Sequence, residues 1–199
     1  MLHSALFWAI LGFVLGAIPF SLLAGLVVLR ADIRRWGDGN PGGANAWRAG
    51  TWRLGVPAVL LDYLKGALPV GLARMEYDVC GWDLVVVALA PVLGHAFSPF
   101  LRFRGGKALA VTFGIWTGLT LWEGPTFLGL GLALMMLLQD ADAWAVLLGM
   151  FCFLGYVLLR GVGPYGQAVW AGNLLILAWK HRSGLRKAPR VRPFLRRLF

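Results

Sequence analysis

The chain has 199 residues, of which 59% are hydrophobic and 14% charged, with 19 basic residues against 9 acidic. Soluble domains usually carry about a quarter charged residues, so this composition and a mean hydropathy of +0.70 exclude a soluble globular domain and indicate an integral membrane protein. The cations do not form one soluble basic face but sit between apolar runs, which points away from nucleic acid and towards anionic lipid and phosphorylated substrates.

The first apolar run, residues 5–29, has no basic segment before it and exceeds a signal-peptide core, so it reads as an uncleaved membrane helix. Next comes the longest internal polar stretch, D-I-R-R-W-G-D-G-N-P-G-G-A-N-A-W-R-A-G, from Asp32 to Gly50, which reads as too glycine-rich to be a helix. Its glycines expose backbone amides beside Asp38, Asn40 and Asn45, a setting suited to a phosphate or an acyl carbonyl, and Arg48 supplies charge. The alternative is a turn-rich connector.

Six further spans are expected at residues 54–72, 84–101, 108–122, 125–138, 144–159 and 165–179. In the second span Asp62 and Lys65 lie three apart on one helix face, either as an ion pair that packs the bundle or with Lys65 lining a polar cavity. His95 closes P-V-L-G-H near the end of the third span, as an interfacial hydrogen-bonding residue or a second-ranked base. The turn R-F-R-G-G-K that follows places Arg102, Arg104 and Lys107 around Gly105 and Gly106, which fits an anion cradle or a topogenic loop. Only Glu123-Gly124-Pro125 separates spans four and five, which could instead be one kinked helix or a re-entrant pair. His181 lies in K-H-R-S at the exit of the last span, as a base or a snorkelling interfacial group, and a basic tail follows to residue 199.

Charge placement tests this count. The segments 30–53, 102–107 and 180–199 hold 16 of the 19 basic residues, and all three fall on one side if seven spans start outside and end in the cytoplasm. An even count divides them between both sides. The chain thus reads as all-α, one polytopic membrane domain over 1–199, with the N-terminus outside and the C-terminus cytoplasmic. Glycines within spans, such as Gly12, Gly16, Gly129 and Gly131, read as helix-packing grooves. Cys80 and Cys152 make neither a disulfide framework nor a zinc site, and no metal-ligand motif is present. Leu101 stands where a nucleotide phosphate loop needs its first glycine.

Together, G-A-I-P-F, G-D-G-N-P-G-G-A-N-A-W-R, L-D-Y-L-K-G, L-G-H-A-F-S-P-F and F-R-G-G-K closely resemble, in order and spacing, the bacterial acyl-phosphate:glycerol-3-phosphate acyltransferase family of the PlsY type. The resemblance covers nearly the whole chain. It implies transfer of an acyl group from acyl phosphate to the 1-hydroxyl of glycerol 3-phosphate, giving lysophosphatidic acid without metal, coenzyme A or another cofactor. It places Asn40, Asn45 and Arg48 in the first motif, Gly105, Gly106 and Lys107 in the phosphate-binding second, and His181 in the third. Catalysis is expected from His181, Lys107 and Asp38, and substrate binding from the other motif residues with Arg104, Lys65 and His95. The chain departs from the family in having Asp38 for serine, Ala44 for threonine, Gly184 for asparagine, and G-G-K-A-L-A-V for G-G-K-G-V-A-T. A carboxylate at 38 repels phosphate unless Arg48, Lys107 or a proton neutralises it. Two other classes compete: a paralogue that binds phospholipid or acyl phosphate without turnover, and a small-solute transporter resting on span count and the Asp62–Lys65 pair.

Overall fold

A bilayer offers no water to the backbone, so an apolar run must pair its own N–H and C=O groups as helix. The computed structural model, which describes residues 2–193, is helical throughout its apolar runs: α1 (Leu2–Ala17), α2 (Phe20–Val28), α3 (Gly43–Met75), α4 (Gly81–Ala96), α5 (Leu109–Thr120), α6 (Glu123–Leu138), α7 (Asp142–Leu159) and α8 (Gly163–Leu185). Four stretches are long and apolar enough to cross a membrane, namely Ser4–Val28, Gly43–Met75, Gly81–Leu101 and Asp142–Leu159, while α5 and α6 are shorter apolar helices. Large side chains such as Leu60, Leu130, Phe151 and Leu175 lie exposed on the helices, as a lipid-facing surface requires.

The expected first span is interrupted. Pro19 lacks an N–H and splits it into α1 and α2, and the carbonyls freed there find side-chain donors: Ser98 Oγ at 2.6 Å from Ala17 O and Lys65 Nζ at 2.9 Å from Ile18 O. The polar stretch after α2 also departs from expectation, because α3 already starts at Gly43 and takes Asn45 and Arg48 into its first turns. Up to Gly42 the stretch stays outside any α-helix. Ala-Asn-Ala-Trp-Arg-Ala tolerates helix once the glycines are behind it, and a break at Gly50 and Thr51, with Thr51 at φ +59°, sets this piece apart from the long span.

Spans four and five are two separate helices, divided at Leu121, whose φ is +55°. With 12 residues, α5 is only about 18 Å long. The non-helical segment 104–108, whose Gly105, Gly106 and Ala108 are buried, precedes it at the basic face. At the other end Arg74 donates to the carbonyl of Leu119, and Arg160 Nε holds Glu123 Oε2 at 2.8 Å.

The core lies among α3, α4, α5, α6, α7 and α8, where Trp116 meets Phe153 edge to face at 4.7 Å in one cluster with Val70, Val92, Ile115, Leu128, Met150 and Leu177. Helices approach backbone to backbone at small residues. A methyl group at Gly114 of α5 would run into the Tyr63 carbonyl of α3, and one at Gly16 of α1 into the Pro91 carbonyl of α4, so the groove reading holds there; Gly129 makes only ordinary contacts. Gly114→Ala is therefore expected to cost about 1–3 kcal/mol, read as a lower melting temperature in detergent. An unchanged melting temperature would remove the α3–α5 backbone contact from the account.

Candidate active site

The polar loop after α2 is anchored by Ile33, fully buried in a 3-10 turn (Ile33–Arg35) that the Asp32 carboxylate caps at Arg34 N. Beyond it Gly37 takes φ +59°, and a side chain there would collide with Asn45 Oδ1 and Arg48 Nη1. That close passage brings Asp38 onto the first turn of α3. Asp38 Oδ1 accepts from Asn40 N at 3.2 Å and Asn45 Nδ2 at 3.1 Å; Asn45 Nδ2 also reaches Asn40 O at 2.9 Å, and its Oδ1 accepts from Arg48 Nη1 at 2.9 Å. Asn45 is buried and Arg48 exposed, so a buried amide orients a cation at the surface.

The R-F-R-G-G-K turn is strained and clamped. Arg102, Phe103 and Ala108 all adopt left-handed backbone, at φ +51°, +61° and +65°. Gly106 N donates to His95 O at 3.0 Å, and Lys180 Nζ from α8 bonds both Gly105 O and Ala96 O at 2.8 Å. The turn thereby caps the C-terminal end of α4. Its glycines are needed for this contact too, since a methyl at Gly106 would overlap the His95 ring and one at Gly105 the His95 carbonyl. Lys107 leaves the turn to meet Asp38, Nζ to Oδ2 at 2.6 Å, with both side chains about two-fifths exposed. Arg104 stands exposed at the rim.

His181 completes the cluster. It is buried, and its Nδ1 lies 2.9 Å from Leu177 O; a carbonyl only accepts, so Nδ1 carries a proton, and in the neutral ring Nε2 keeps its lone pair. The charges of Lys107, Asp38 and Asp142 all act on this imidazole. Three segments far apart in the chain thus present carboxylate, two amides, ammonium, guanidinium and imidazole at one face.

A sequence model for glycerol-3-phosphate acyltransferases matches residues 6–189. The chain belongs to the glycerol-3-phosphate acyltransferase family. Among its relatives, glycerol-3-phosphate acyltransferase 1 of Thermotoga maritima is 38% identical over 189 residues, covering 88% of this chain and 93% of the relative. The glycerol-3-phosphate acyltransferase of a Thermus thermophilus strain is 33% identical over 196 residues, covering 92% and 91%. The crystal structure of PlsY, an integral membrane glycerol 3-phosphate acyltransferase, in its glycerol 3-phosphate form superposes with a TM-score of 0.82 at 25% identity, covering 98% of this chain and 99% of that one.

Within this acyltransferase framework two of the departures, Asp38 and Gly184, acquire physical content. The Asp38 charge is neutralised by Lys107. Burial pushes the Asp38 carboxyl up, but the Lys107 ammonium, the Asn40 N–H and the Asn45 amide together outweigh it and hold the group below the ordinary value. Gly184 packs on α7: a methyl there would stand 2.7 Å from Ala143 Cβ, so the small residue at 184 matches its neighbour. Lys65 does not open onto the cluster; it is buried against Asp62 and Ile18 O, because an ammonium inside the bundle takes the nearest anion and carbonyl. His95 lies beneath the turn rather than in it. Sequence reasoning misses Lys180 and Asp142 as neighbours of the site. Lys180 adjoins His181 but counts in the sequence as part of the basic tail, and Asp142 stands in a turn without cations that gives no sign of its partner.

Gly184→Asn alone is expected to lower the melting temperature, and Ala143→Gly with it to restore most of the loss; equal stability of the single variant and the parent would remove the steric account. For Asp38 the depressed pKa decides the sign. Its ionised form and the Lys107 contact persist above the ordinary value of 3.8 and are lost only as pH falls through the lower folded value. Such a carboxylate is a weak base at neutral pH, so Asp38→Asn should keep turnover within about tenfold and leave any acid limb near neutrality in place, whereas loss of a base costs about 10²–10⁴-fold. A folded but inactive Asp38→Asn enzyme would make Asp38 the base.

Proposed function

We propose that the protein transfers the acyl group of an acyl phosphate to the 1-hydroxyl of glycerol 3-phosphate, giving lysophosphatidic acid for phospholipid synthesis. One observation carries this reading: Lys107, Arg48, Asn45 and His181, from three segments, converge with the Gly105–Gly106 turn at the membrane face that holds the basic loops. Both substrates are anionic, and cations with oriented N–H groups offset their repulsion and hold them in contact.

In the reaction the acceptor hydroxyl oxygen attacks the acyl carbonyl carbon, the bond from that carbon to the phosphate oxygen breaks, and phosphate leaves with the electron pair. The hydroxyl proton passes to His181 Nε2 or to a phosphate oxygen of the substrate, which Nδ1 bonding at Leu177 O supports by leaving Nε2 unprotonated. Lys107, released from Asp38 when substrate arrives, holds the phosphate of glycerol 3-phosphate at the Gly105–Gly106 turn, and Arg104 adds charge at the rim. Asn40 and Asn45 order the loop, and Arg48 faces the substrate.

The same reading takes the chain across a bacterial plasma membrane seven times, counting α1 with α2 as one span, with the N-terminus outside and the site and tail cytoplasmic. The segments 30–53, 102–107 and 180–199 carry 16 of the 19 basic residues, and the tail's last part, 194–199, lies outside the described residues. The binding-only paralogue is not favoured, since the Asp38 carboxylate is ion-paired with Lys107.

Purified protein given acyl phosphate and labelled glycerol 3-phosphate is expected to form lysophosphatidic acid, with Lys107→Ala losing about 10²–10³-fold in kcat/KM. No turnover, under conditions where the Thermotoga maritima relative is active, would overturn the reading.

A further inference from the structure

Beneath the turn lies a buried polar cluster that the transfer mechanism does not use. Asp62 and Lys65 of α3 are 2% and 4% exposed, His95 of α4 is 8% exposed, and Ser21 of α2 is fully buried. Lys65 Nζ lies 2.7 Å from Asp62 Oδ1, 2.9 Å from Ile18 O, and 5.7 Å from the centre of the Phe20 ring. Ser21 Oγ donates to Asp62 Oδ2 at 2.5 Å. Replacing a buried ion pair by apolar residues is often neutral or stabilising, so packing alone does not call for this one.

The arrangement of His95 supplies a reason. Its Nδ1 faces Asp62 Oδ1 at 3.7 Å, and that oxygen has no aligned hydrogen bond of its own, although Lys65 is in ionic contact with it. Its Nε2 faces the opposite way, onto Gly106, so closely that a methyl group there would overlap it, and its carbonyl accepts the Gly106 N–H. One residue therefore has the carboxylate on one side and the G-G-K turn on the other.

We propose that Asp62 is a positioning residue for the phosphate turn, acting through His95: its carboxylate orients the imidazole so that the ring holds Gly106, and with it Lys107, at the place where phosphate binds. Lys65 lies in ionic contact with Asp62 and ties it to the break between α1 and α2. Outer partners of this kind set the orientation of groups that meet the ligand without touching it themselves. The inference rests on the reading that phosphate binds at Gly105–Lys107.

The test measures glycerol 3-phosphate twice, as KM in the transfer assay and as the midpoint of its thermal stabilisation of the detergent-purified protein, which needs no turnover. Asp62→Asn keeps the side-chain shape; Asp62→Asn with Lys65→Gln removes both charges and retains donors and acceptors, so it decides if the single variant does not fold. Both are expected to raise KM and the binding midpoint about 10–100-fold with kcat changed far less. In a His95→Asn background, adding Asp62→Asn should change neither by more than about twofold, because the two act as one unit. Parent-like binding in a folded variant, additive effects in that background, or a parent that glycerol 3-phosphate does not stabilise would each overturn the proposal. A parent that is stabilised but shows no turnover overturns the transfer reading instead, and the binding midpoints still judge Asp62.

Discussion

Every interruption of a helix inside a bilayer strands backbone groups that water cannot reach, at a cost of several kcal/mol for each one left unpaired. This chain interrupts its helices where its chemistry sits, and it supplies partners there. Ser98 and Lys65 take the carbonyls freed at Pro19. The amide of Gly106 and the ammonium of Lys180 take those at the end of α4. The R-F-R-G-G-K turn is thus a helix cap before it is a ligand site, and its left-handed residues are tolerated because the surrounding bonds over-determine it. Satisfying the backbone and presenting Lys107 are one structural act.

The two lysine–aspartate pairs behave differently because their surroundings differ. Lys107 and Asp38 are partly exposed, so solvent screens them and the pair adds little stability; it can open when a phosphate offers a better anion. Lys65 and Asp62 are shut inside the bundle, where opening would leave uncompensated charge. One pair is exchangeable and the other permanent, which suits the first to substrate and the second to support. The carboxylate at 38 thus keeps Lys107 ion-paired at the surface.

The departure at 184 follows from shape rather than charge. The end of α8 lies so close to the start of α7 that Gly184 and Ala143 must both be small, and Trp144 Nε1 binds Lys187 O at 2.7 Å just beyond. Tight docking of this segment holds Lys180 over the turn and His181 among the charges of Lys107, Asp38 and Asp142.

Much of this was legible in one dimension. Hydropathy locates the apolar runs, since bilayer thickness sets their length, and the gathering of cations into three segments marks the face that carries the site. Asn45, Arg48, Lys107 and His181 stand out because polar groups between membrane spans need a reason. Helix breaks were harder to read: the halt at Pro19 inside an apolar run, and the start of α3 at Gly43 within a glycine-rich stretch, depend on which donors arrive from other helices. Pairings were readable only as alternatives, the Asp62–Lys65 pair as one of two and Lys107 as one of three groups to neutralise Asp38, and that of Lys180 with the turn was not readable. Composition and charge placement by themselves determined a membrane protein whose cations gather in three segments, because those properties add along the chain. Only the tertiary structure decided that Asp38 meets Lys107, that Lys180 holds the turn and that Lys65 turns inward, because a charge buried or half-buried in a bundle takes the partner that packing brings within about 3 Å.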